Sequence, residues 1–253
     1  MTLTLPQWHH RYQQQAHWTE NLRKYIYDQV DIQQAEKILD IGCGTGVLEK
    51  ELNNITSSRV YGLDIDFGPL PLAVKYAPDS TFTVSDCLHL PFQNGEFNIT
   101  LCHFLLLWVK HPLNAVTEMV RVTRANGFVL ALAEPDYGGR IDYPTELSQI
   151  GTWQIEALKQ QGANPLIGRE LRSLFSQVGL EKIEVGLLGG QWKNTQLDQD
   201  FELEWEVIES DLYQNIEFNM QAGKLKTIDI ASRRTYQRIL FVPTLYALGQ
   251  VHG

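Results

Sequence analysis

The chain has 253 residues, of which 43% are hydrophobic and 20% are charged, and its formal net charge is −9. This composition is that of an ordinary globular protein, and the acidic balance lacks the clustered Lys and Arg by which proteins bind phosphate backbones. No run approaches the roughly 18 uninterrupted apolar residues that a membrane span requires. We therefore expect a small-molecule partner, with no nucleic acid and no membrane span.

The N-terminus and the cysteines indicate the compartment. The first ten residues lack the basic and then apolar order of a signal peptide. Cys43, Cys87 and Cys102 are odd in number and show no Cys-x-x-Cys spacing, which favours neither a disulfide framework nor a zinc site. The adjacent His9 and His10 have no third ligand at a suitable spacing. We expect a cytoplasmic protein without a bound metal.

Helices and strands alternate over the first half of the chain. Residues 1–30 include an amphipathic helix, in which Leu22, Tyr25, Ile26 and Val30 recur at helical spacing. Short apolar runs then alternate with helical patterns. The predicted strands are 38–41, 59–64, 81–85, 97–102 and 128–134, and the predicted helices are 47–53, 70–76 and 113–123. This alternation predicts an α/β domain with a mostly parallel sheet.

The second half is patterned differently. Residues 145–161 and 169–178 predict helices, 180–188 a strand, and 198–219 an acidic helix that stands partly on the surface. Residues 239–249 predict a closing strand, in which Pro243 indicates a bulge or an edge because proline lacks a ladder donor. We expect one domain over residues 1–253, with residues 190–236 as a helical insertion. Its aromatic residues include Trp192, Phe201, Trp205 and Tyr213.

The strongest motif is the run from Asp40 to Gly46, with glycines at 42, 44 and 46, between a strand and a helix. Glycines let the backbone turn sharply and approach a ligand closely. Dinucleotide-binding folds use G-x-G-x-x-G, with pyrophosphate at the helix N-terminus. Here the spacing is G-x-G-x-G and the acidic Asp40 precedes it, which disfavours a phosphate and suits a cationic amino group. Asp64 and Asp86 end the next two strands, at the edge where such sheets bind ligands.

At this motif the sequence resembles the class I S-adenosylmethionine-dependent methyltransferases, in particular the small-molecule group that includes ubiquinone and menaquinone methyltransferases. Residues 40–46 match the first family motif without a gap, and 60–65, 85–92, 97–102 and 118–130 are similar to the segments that follow it. Asn126 stands where the family often has glycine, and asparagine also tolerates positive φ. The resemblance covers about residues 35–135 closely.

The resemblance implies a Rossmann-like, doubly wound, seven-stranded sheet with helices on both faces and an antiparallel last strand. It implies S-adenosylmethionine as the cofactor, with residues 1–30 as a lid and 190–236 over the substrate site. Asp64 would take the ribose hydroxyls and Asp86 the adenine amino group, since carboxylates accept from both. The expected cofactor-binding residues are Tyr12, Trp18, Asp40, Gly42, Gly44, Gly46, Asp64, Ile65, Asp86, Cys87 and His103.

The methyl acceptor is less defined. His103, after the fourth strand, titrates near neutral pH and is the candidate base, and Tyr137 is the second candidate catalytic residue. Glu134 and Asp136 leave a metal-assisted reaction open. The expected function is methyl transfer to a small molecule at oxygen, nitrogen or carbon. The alternatives are a protein or RNA methyltransferase and a non-catalytic cofactor-binding regulator, and the chain is expected to be a monomer or a homodimer.

Overall fold

The computed structural model describes residues 4–187, 189 and 199–253. Its α-helices are α1 (Leu5–Trp18), α2 (Glu20–Gln29), α3 (Val47–Ile55), α4 (Leu70–Tyr76), α5 (Pro112–Val122), α6 (Ser148–Gln160), α7 (Leu171–Gln177), α8 (Gln199–Asp211) and α9 (Ile216–Arg234). Its strands are β1 (Lys37–Ile41), β2 (Arg59–Asp64), β3 (Thr81–Val84), β4 (Phe97–Cys102), β5 (Thr123–Pro135), β6 (Ile141–Tyr143), β7 (Glu181–Gly186), β8 (Ile239–Phe241) and β9 (Thr244–Gln250).

The main sheet has the predicted architecture. Within the described ranges it contains seven strands in the order β3-β2-β1-β4-β5-β9-β7. Strands β1 to β5 are parallel to one another, and β9 runs antiparallel to both β5 and β7. The predicted doubly wound, mostly parallel sheet with an antiparallel last strand is confirmed.

The sheet is covered on both faces, and its central strands are mostly apolar. Successive residues of a strand point to opposite faces. Ile38 packs with residues of α2 and α3, whereas Leu39 and Ile41 pack with residues of α5 and α7. Every residue of β4 is buried, and the hydroxyl of Thr100 within it lies 2.9 Å from that of Thr123. The charged residues of β1 and β2 lie at or next to the strand ends, which positions the site there.

The N-terminal segment contains two helices, of which α2 is the predicted amphipathic one. Thr19 ends α1, and its hydroxyl donates back to the carbonyl of Gln15 at 2.9 Å. Threonine side chains that bond to the nearby backbone in this way compete with a continuous helix. The periodicity of apolar residues gives no signal for this effect. The helix α2 then packs Leu22 and Ile26 against the sheet, as the pattern predicted.

The predicted C-terminal strand is divided at Pro243. The strand β8 pairs with β6 in a separate two-stranded sheet, and β9 enters the main sheet. The expectation of a bulge or an edge at Pro243 within one strand is therefore wrong, because Pro243 lies between two strands that belong to different sheets. Its carbonyl accepts a hydrogen bond from the Asp136 amide at 2.7 Å, which ties this corner to the end of β5.

The region after β5 forms a cap over the strand ends. The predicted helix 198–219 is divided at Asn215, whose side chain accepts from the Phe218 amide and begins α9. Residues 190–198, including Trp192, lie outside the described residues. The cap has an apolar cluster of its own, formed by α6, α8, α9 and the turn before α6; it is Leu147, Ile150, Trp153, Phe201, Trp205, Ile208, Leu212, Phe218 and Leu225. None of the described helices is long and apolar enough to cross a membrane.

A buried carboxylate shapes the loop after β4. Glu134 on β5 is fully buried, and its oxygens accept from the backbone amides of Leu105, Leu106 and Leu107 at 3.0, 2.8 and 3.2 Å. Burial raises the pKa of Glu134 to about 7, against the opposing effect of these three donors. The side chain fixes the turn at Leu106–Trp108 beside the site.

We expect Glu134→Ala to destabilise the protein by about 2 to 4 kcal/mol, because three buried amides lose their acceptor. Urea denaturation followed by circular dichroism measures this. Glu146→Ala removes an exposed carboxylate and is expected to change the free energy of unfolding by less than about 0.5 kcal/mol. Equal stability of both variants would contradict a structural role for Glu134.

Candidate active site

Five segments meet at one edge of the sheet because the carboxyl ends of parallel strands lie together. They are the glycine loop after β1, Asp64 at the end of β2, Asp86 after β3, His103 after β4 and Tyr137 after β5. Each of these positions was predicted as a site residue. The fold brings these five positions to one edge of the sheet, and the helices α1 and α8 lie near that edge.

The glycine loop is held in a conformation that favours glycine. Gly42, Gly44 and Gly46 have φ of 81°, 52° and 79°. A Cβ on Gly44 would lie 3.1 Å from Cε2 of Tyr12, and one on Gly46 would lie 3.1 Å from the backbone of Ala73. These are tight contacts in a left-handed conformation, so the loop presents bare backbone at the strand end.

Asp64 orders this loop with its carboxylate. Its Oδ2 accepts from the Gly44 amide at 2.9 Å, and its Oδ1 accepts from the Asp66 amide at 3.0 Å. Asp86 accepts from the Leu88 amide at 2.9 Å. Each carboxylate oxygen has two lone pairs, so both side chains keep acceptor capacity at the half-buried edge. Ile65, beside Asp64, is 70% exposed.

A pair of buried carboxyls lies under the glycine loop. Asp40 pairs in register with Gly62 of β2, and the carboxyl of Glu49 from α3 lies against Gly62. Oδ1 of Asp40 and both oxygens of Glu49 have no hydrogen-bonding partner among the described residues. Burial and the carboxylate of Asp64 raise the pKa of Asp40 to about 7, and burial and Asp40 raise that of Glu49 well above its usual value. A proton shared between the two carboxyls gives these oxygens a hydrogen bond and removes one of the two buried negative charges.

The helix α1 contacts the glycine loop with one of its faces. His9 Nδ1 lies 2.7 Å from Oγ1 of Thr45, and the ring of Tyr12 packs on Gly44. Burial and the carboxylates of Asp64 and Asp66 raise the pKa of Tyr12 to about 12. The tyrosine is therefore neutral beside the loop.

Trp18, the second aromatic residue predicted at the cofactor, lies elsewhere. It is 50% exposed on the opposite face of α1, where the guanidinium of Arg11 lies 4.6 Å from its ring centroid. Cys87, predicted beside the adenine, is half-buried after β3. Burial and Asp86 raise the pKa of its thiol to about 11, so it is protonated at neutral pH.

His103 is held by the junction between α1 and α2. Its Nε2 lies 2.9 Å from Oγ1 of Thr19, which also accepts from Nη1 of Arg23 at 2.6 Å. Arg23 in turn pairs with Glu51. Burial and the charge of Arg23 hold the pKa of His103 well below its usual value. The imidazole is therefore neutral, and the expectation that it titrates near neutral pH is wrong, because its buried position and Arg23 disfavour the charged form.

The segment at the end of β5 contains Tyr137 and two acidic residues, Glu134 and Asp136, whose carboxylates both bind other groups of the protein. Glu134 accepts the three loop amides, and Asp136 forms a two-pronged ion pair with Arg169 at 2.6 and 2.7 Å. Burial raises the pKa of Tyr137. Across the described ranges, no group of three or more His, Cys, Asp and Glu side chains is arranged to hold a metal ion.

A cavity of about 1980 Å³ adjoins the strand ends, between α1, the segment after β5 and the cap. Its wall includes Trp18, Thr19, Tyr137, Trp153, Gln154 and Asp211. Because Thr19 belongs to the wall, the cavity reaches the residue that holds His103. The cavity combines aromatic walls with a few polar groups, which is the usual character of a small-molecule site.

Three residues of this region were missed by sequence reasoning. Glu49 lies in the first turn after the glycine loop, Thr19 lies at the helix junction, and Arg11 precedes the predicted Tyr12. Helical spacing places Glu49 and Arg11 on definite faces, but which face meets the loop depends on how α1 and α3 pack. Thr19 carries no recognisable motif signal.

Residues 39–131 match the sequence family described as "Methyltransferase domain". A demethylmenaquinone methyltransferase of Paenarthrobacter aurescens is 30% identical over 109 residues, covering 43% of this chain and 43% of the relative. The ubiquinone/menaquinone biosynthesis C-methyltransferase UbiE of Geobacter sp. is 28% identical over 118 residues, covering 44% and 50%. The chain spans about half the length of the curated relatives it matches.

Solved structures share the fold. Phosphoethanolamine N-methyltransferase 2 of Haemonchus contortus, in complex with S-adenosyl-L-methionine, aligns with a TM-score of 0.59 at 14% identity, over 92% of this chain and 53% of that chain. The match over residues 39–131 and the shared fold agree with the class I S-adenosylmethionine-dependent methyltransferases that the sequence resembles. The methyltransferase domain recognised in the sequence is confirmed over these residues.

The buried carboxyl pair predicts a pH dependence of stability. Because the folded protein keeps protons on Asp40 and Glu49 that the unfolded chain releases above about pH 4.5, the free energy of unfolding is expected to fall as the pH rises from 5 through about 7. Glu49→Gln removes one of the two acids and supplies an amide donor to Asp40. The fall between pH 5 and pH 8 is then expected to shrink by about 1 kcal/mol or more.

Urea denaturation at several pH values measures this slope. Glu36→Gln replaces an exposed carboxylate and is expected to retain the wild-type slope. If Glu49→Gln and Glu36→Gln both keep that slope, the two carboxyls do not share a proton.

Proposed function

We propose that this protein transfers a methyl group from S-adenosylmethionine to a small-molecule acceptor bound in the cavity beside the strand ends. The observation that carries the proposal is that the cavity wall includes Tyr137 and Thr19, the partner of His103, at the sheet edge where the glycine loop and Asp64 also lie. The three unpaired cysteines suit the cytoplasmic location that we also propose.

The residues present fit the cofactor. Asp64 and Asp86 keep acceptor capacity for a ribose diol and an exocyclic amine, and the glycines at 42, 44 and 46 add no side chain of their own between the backbone and a ligand. Tyr12 and the exposed Ile65 flank this loop on either side, and Trp18 borders the acceptor cavity instead. Bound there, S-adenosylmethionine would supply a methyl group already activated on a sulfonium.

The shape of the cavity favours a small acceptor. Its floor is the end of the sheet, and its walls are α1 and a cap with its own apolar core. Gln7 on α1 donates to Glu206 on α8 at 3.3 Å, which closes one side. A protein or RNA acceptor would need an open surface at this point, and the net charge of −9 opposes a nucleic acid.

His103 and Tyr137 have different roles in the proposed reaction. His103 is neutral and accepts the proton that the acceptor loses, while Thr19 orients its ring. Tyr137 retains its proton, since its pKa is raised, and donates a hydrogen bond that positions the acceptor. Alignment of the reacting groups supplies most of the acceleration in such a displacement, on the order of 7 to 11 kcal/mol.

Asp64→Asn is expected to weaken binding of S-adenosylhomocysteine about tenfold to a hundredfold, because a charge-assisted hydrogen bond is lost while Oδ1 still accepts from the backbone. Isothermal titration calorimetry measures the affinity. Asp79→Asn changes an exposed aspartate ahead of β3 and is expected to bind as the wild type does. Wild-type affinity in Asp64→Asn would remove Asp64 from the cofactor site.

His103→Ala is expected to lower kcat about a hundredfold with little change in S-adenosylhomocysteine affinity, because it removes a general base. Tyr137→Phe is expected to raise the KM of the acceptor more than it lowers kcat. The acceptor for these assays comes from a screen for transfer of a labelled S-methyl group. Tyr143→Phe, on β6 and 53% exposed, is the control, and loss of cofactor affinity in His103→Ala would make His103 a binding residue.

A further inference from the structure

Four arginines contribute to the wall of the acceptor cavity, and three of them are neutralised. Arg140 pairs with Asp142 at 2.5 Å, Arg238 pairs with Asp142 at 2.8 Å, and Arg233 pairs with Glu204 at 2.8 Å. A guanidinium taken out of water is costly unless it is paired. These three side chains therefore form part of the framework of the cap.

Arg11 differs from these three. Among the described residues its guanidinium has one hydrogen-bond acceptor, Oε1 of Gln14 at 2.6 Å, and it lies over the ring of Trp18. No carboxylate oxygen of those residues comes within 4.0 Å of it. The charges of Glu204 and Asp211 act on it from across the cavity, where Glu204 is held by Arg233 and Asp211 accepts from Gln154 at 3.2 Å.

The helix α1 directs Arg11 away from the cofactor loop. His9, Tyr12 and Gln13 contact the glycine loop and α4, whereas Trp8, Arg11 and Trp18 line the cavity. Adjacent residues of a helix are separated by about 100°. Arg11 therefore lies at the cavity, whereas Tyr12 lies at the glycine loop. Neither Tyr12 nor the glycines of that loop belong to the cavity wall.

We propose that Arg11 is the binding residue for an anionic group of the methyl acceptor, a carboxylate or a phosphate. A guanidinium presents up to five donors in a planar fork that matches either group in a two-pronged arrangement. The guanidinium carbon lies 4.6 Å from the centroid of the Trp18 ring, and Gln14 accepts from one of the donors. This proposal rests on the proposed function, because the cavity is the acceptor site only if the adjacent loop binds the cofactor.

Binding of simple probes tests the proposal without knowledge of the natural acceptor. Benzoate and phenyl phosphate are titrated into the wild-type protein with and without S-adenosylhomocysteine, and benzamide serves as the uncharged isostere of benzoate. Ligand-observed NMR gives the dissociation constants. We expect at least one of the two anions to bind about tenfold or more tightly than benzamide, and the tighter anion distinguishes a carboxylate from a phosphate acceptor.

Arg11→Gln is expected to reduce the affinity for the anion to that for benzamide, and Arg11→Lys to give an intermediate affinity. Arg234→Gln makes the same charge change at an exposed position outside the cavity wall and is expected to bind the anion as the wild type does. The melting temperature of each variant verifies that the protein is folded.

Three results would overturn the proposal: neither anion binds the wild type more tightly than benzamide, Arg11→Gln keeps the affinity for the anion, or Arg11→Gln loses affinity for S-adenosylhomocysteine instead. The last result would assign Arg11 to the carboxylate of the cofactor. Failure of the wild type to bind S-adenosylhomocysteine, with anion binding that still requires Arg11, would refute the proposed function and leave the anion site standing.

Discussion

A parallel sheet buried on both faces is the constraint on which the rest of this structure depends. β1 to β4 run in one direction and β4 is buried along its whole length, and the charged residues of these four strands lie at or next to the strand ends. Those ends meet at one edge, so Asp64, Asp86 and His103 come together although they are distant along the chain. The site follows from the topology.

Buried acids then shape the loops at that edge. Glu134 holds three amides of the loop after β4, and Asp40 with Glu49 lies beneath the glycine loop. Buried carboxyls are unfavourable in their charged form, and their raised pKa values show it. These buried carboxyls reduce the stability of the fold, and they lie at positions where they hold the backbone of the loops at the strand ends in place. The helix α1 completes the enclosure, with one face on the glycine loop and the other on the acceptor cavity.

The regular half of the fold was predictable in detail. The predicted bounds 97–102 and 70–76 are those of β4 and α4, and Asn126 has the positive φ, 61°, that its place in the motif suggested. Errors fall where a single side chain interrupts a pattern. Asn215 divides the predicted helix 198–219, and Pro243 sends one predicted strand into two sheets. A side-chain hydrogen bond and a missing backbone donor each act at a single residue. The periodicity of apolar residues is judged over a window of many residues, so it does not detect them.

By itself, the sequence determined the alternation of strands and helices, the family resemblance, and the glycine loop with its acids, because strand periodicity and a contiguous motif are local properties of a chain. The tertiary structure alone decided which helix faces enclose the site: that Glu49 lies against Gly62, that Thr19 meets His103, and that Arg11 enters the cavity without a carboxylate partner among the described residues. These contacts join segments separated by many residues. They depend on how helices pack, which the spacing of residues along one helix does not specify.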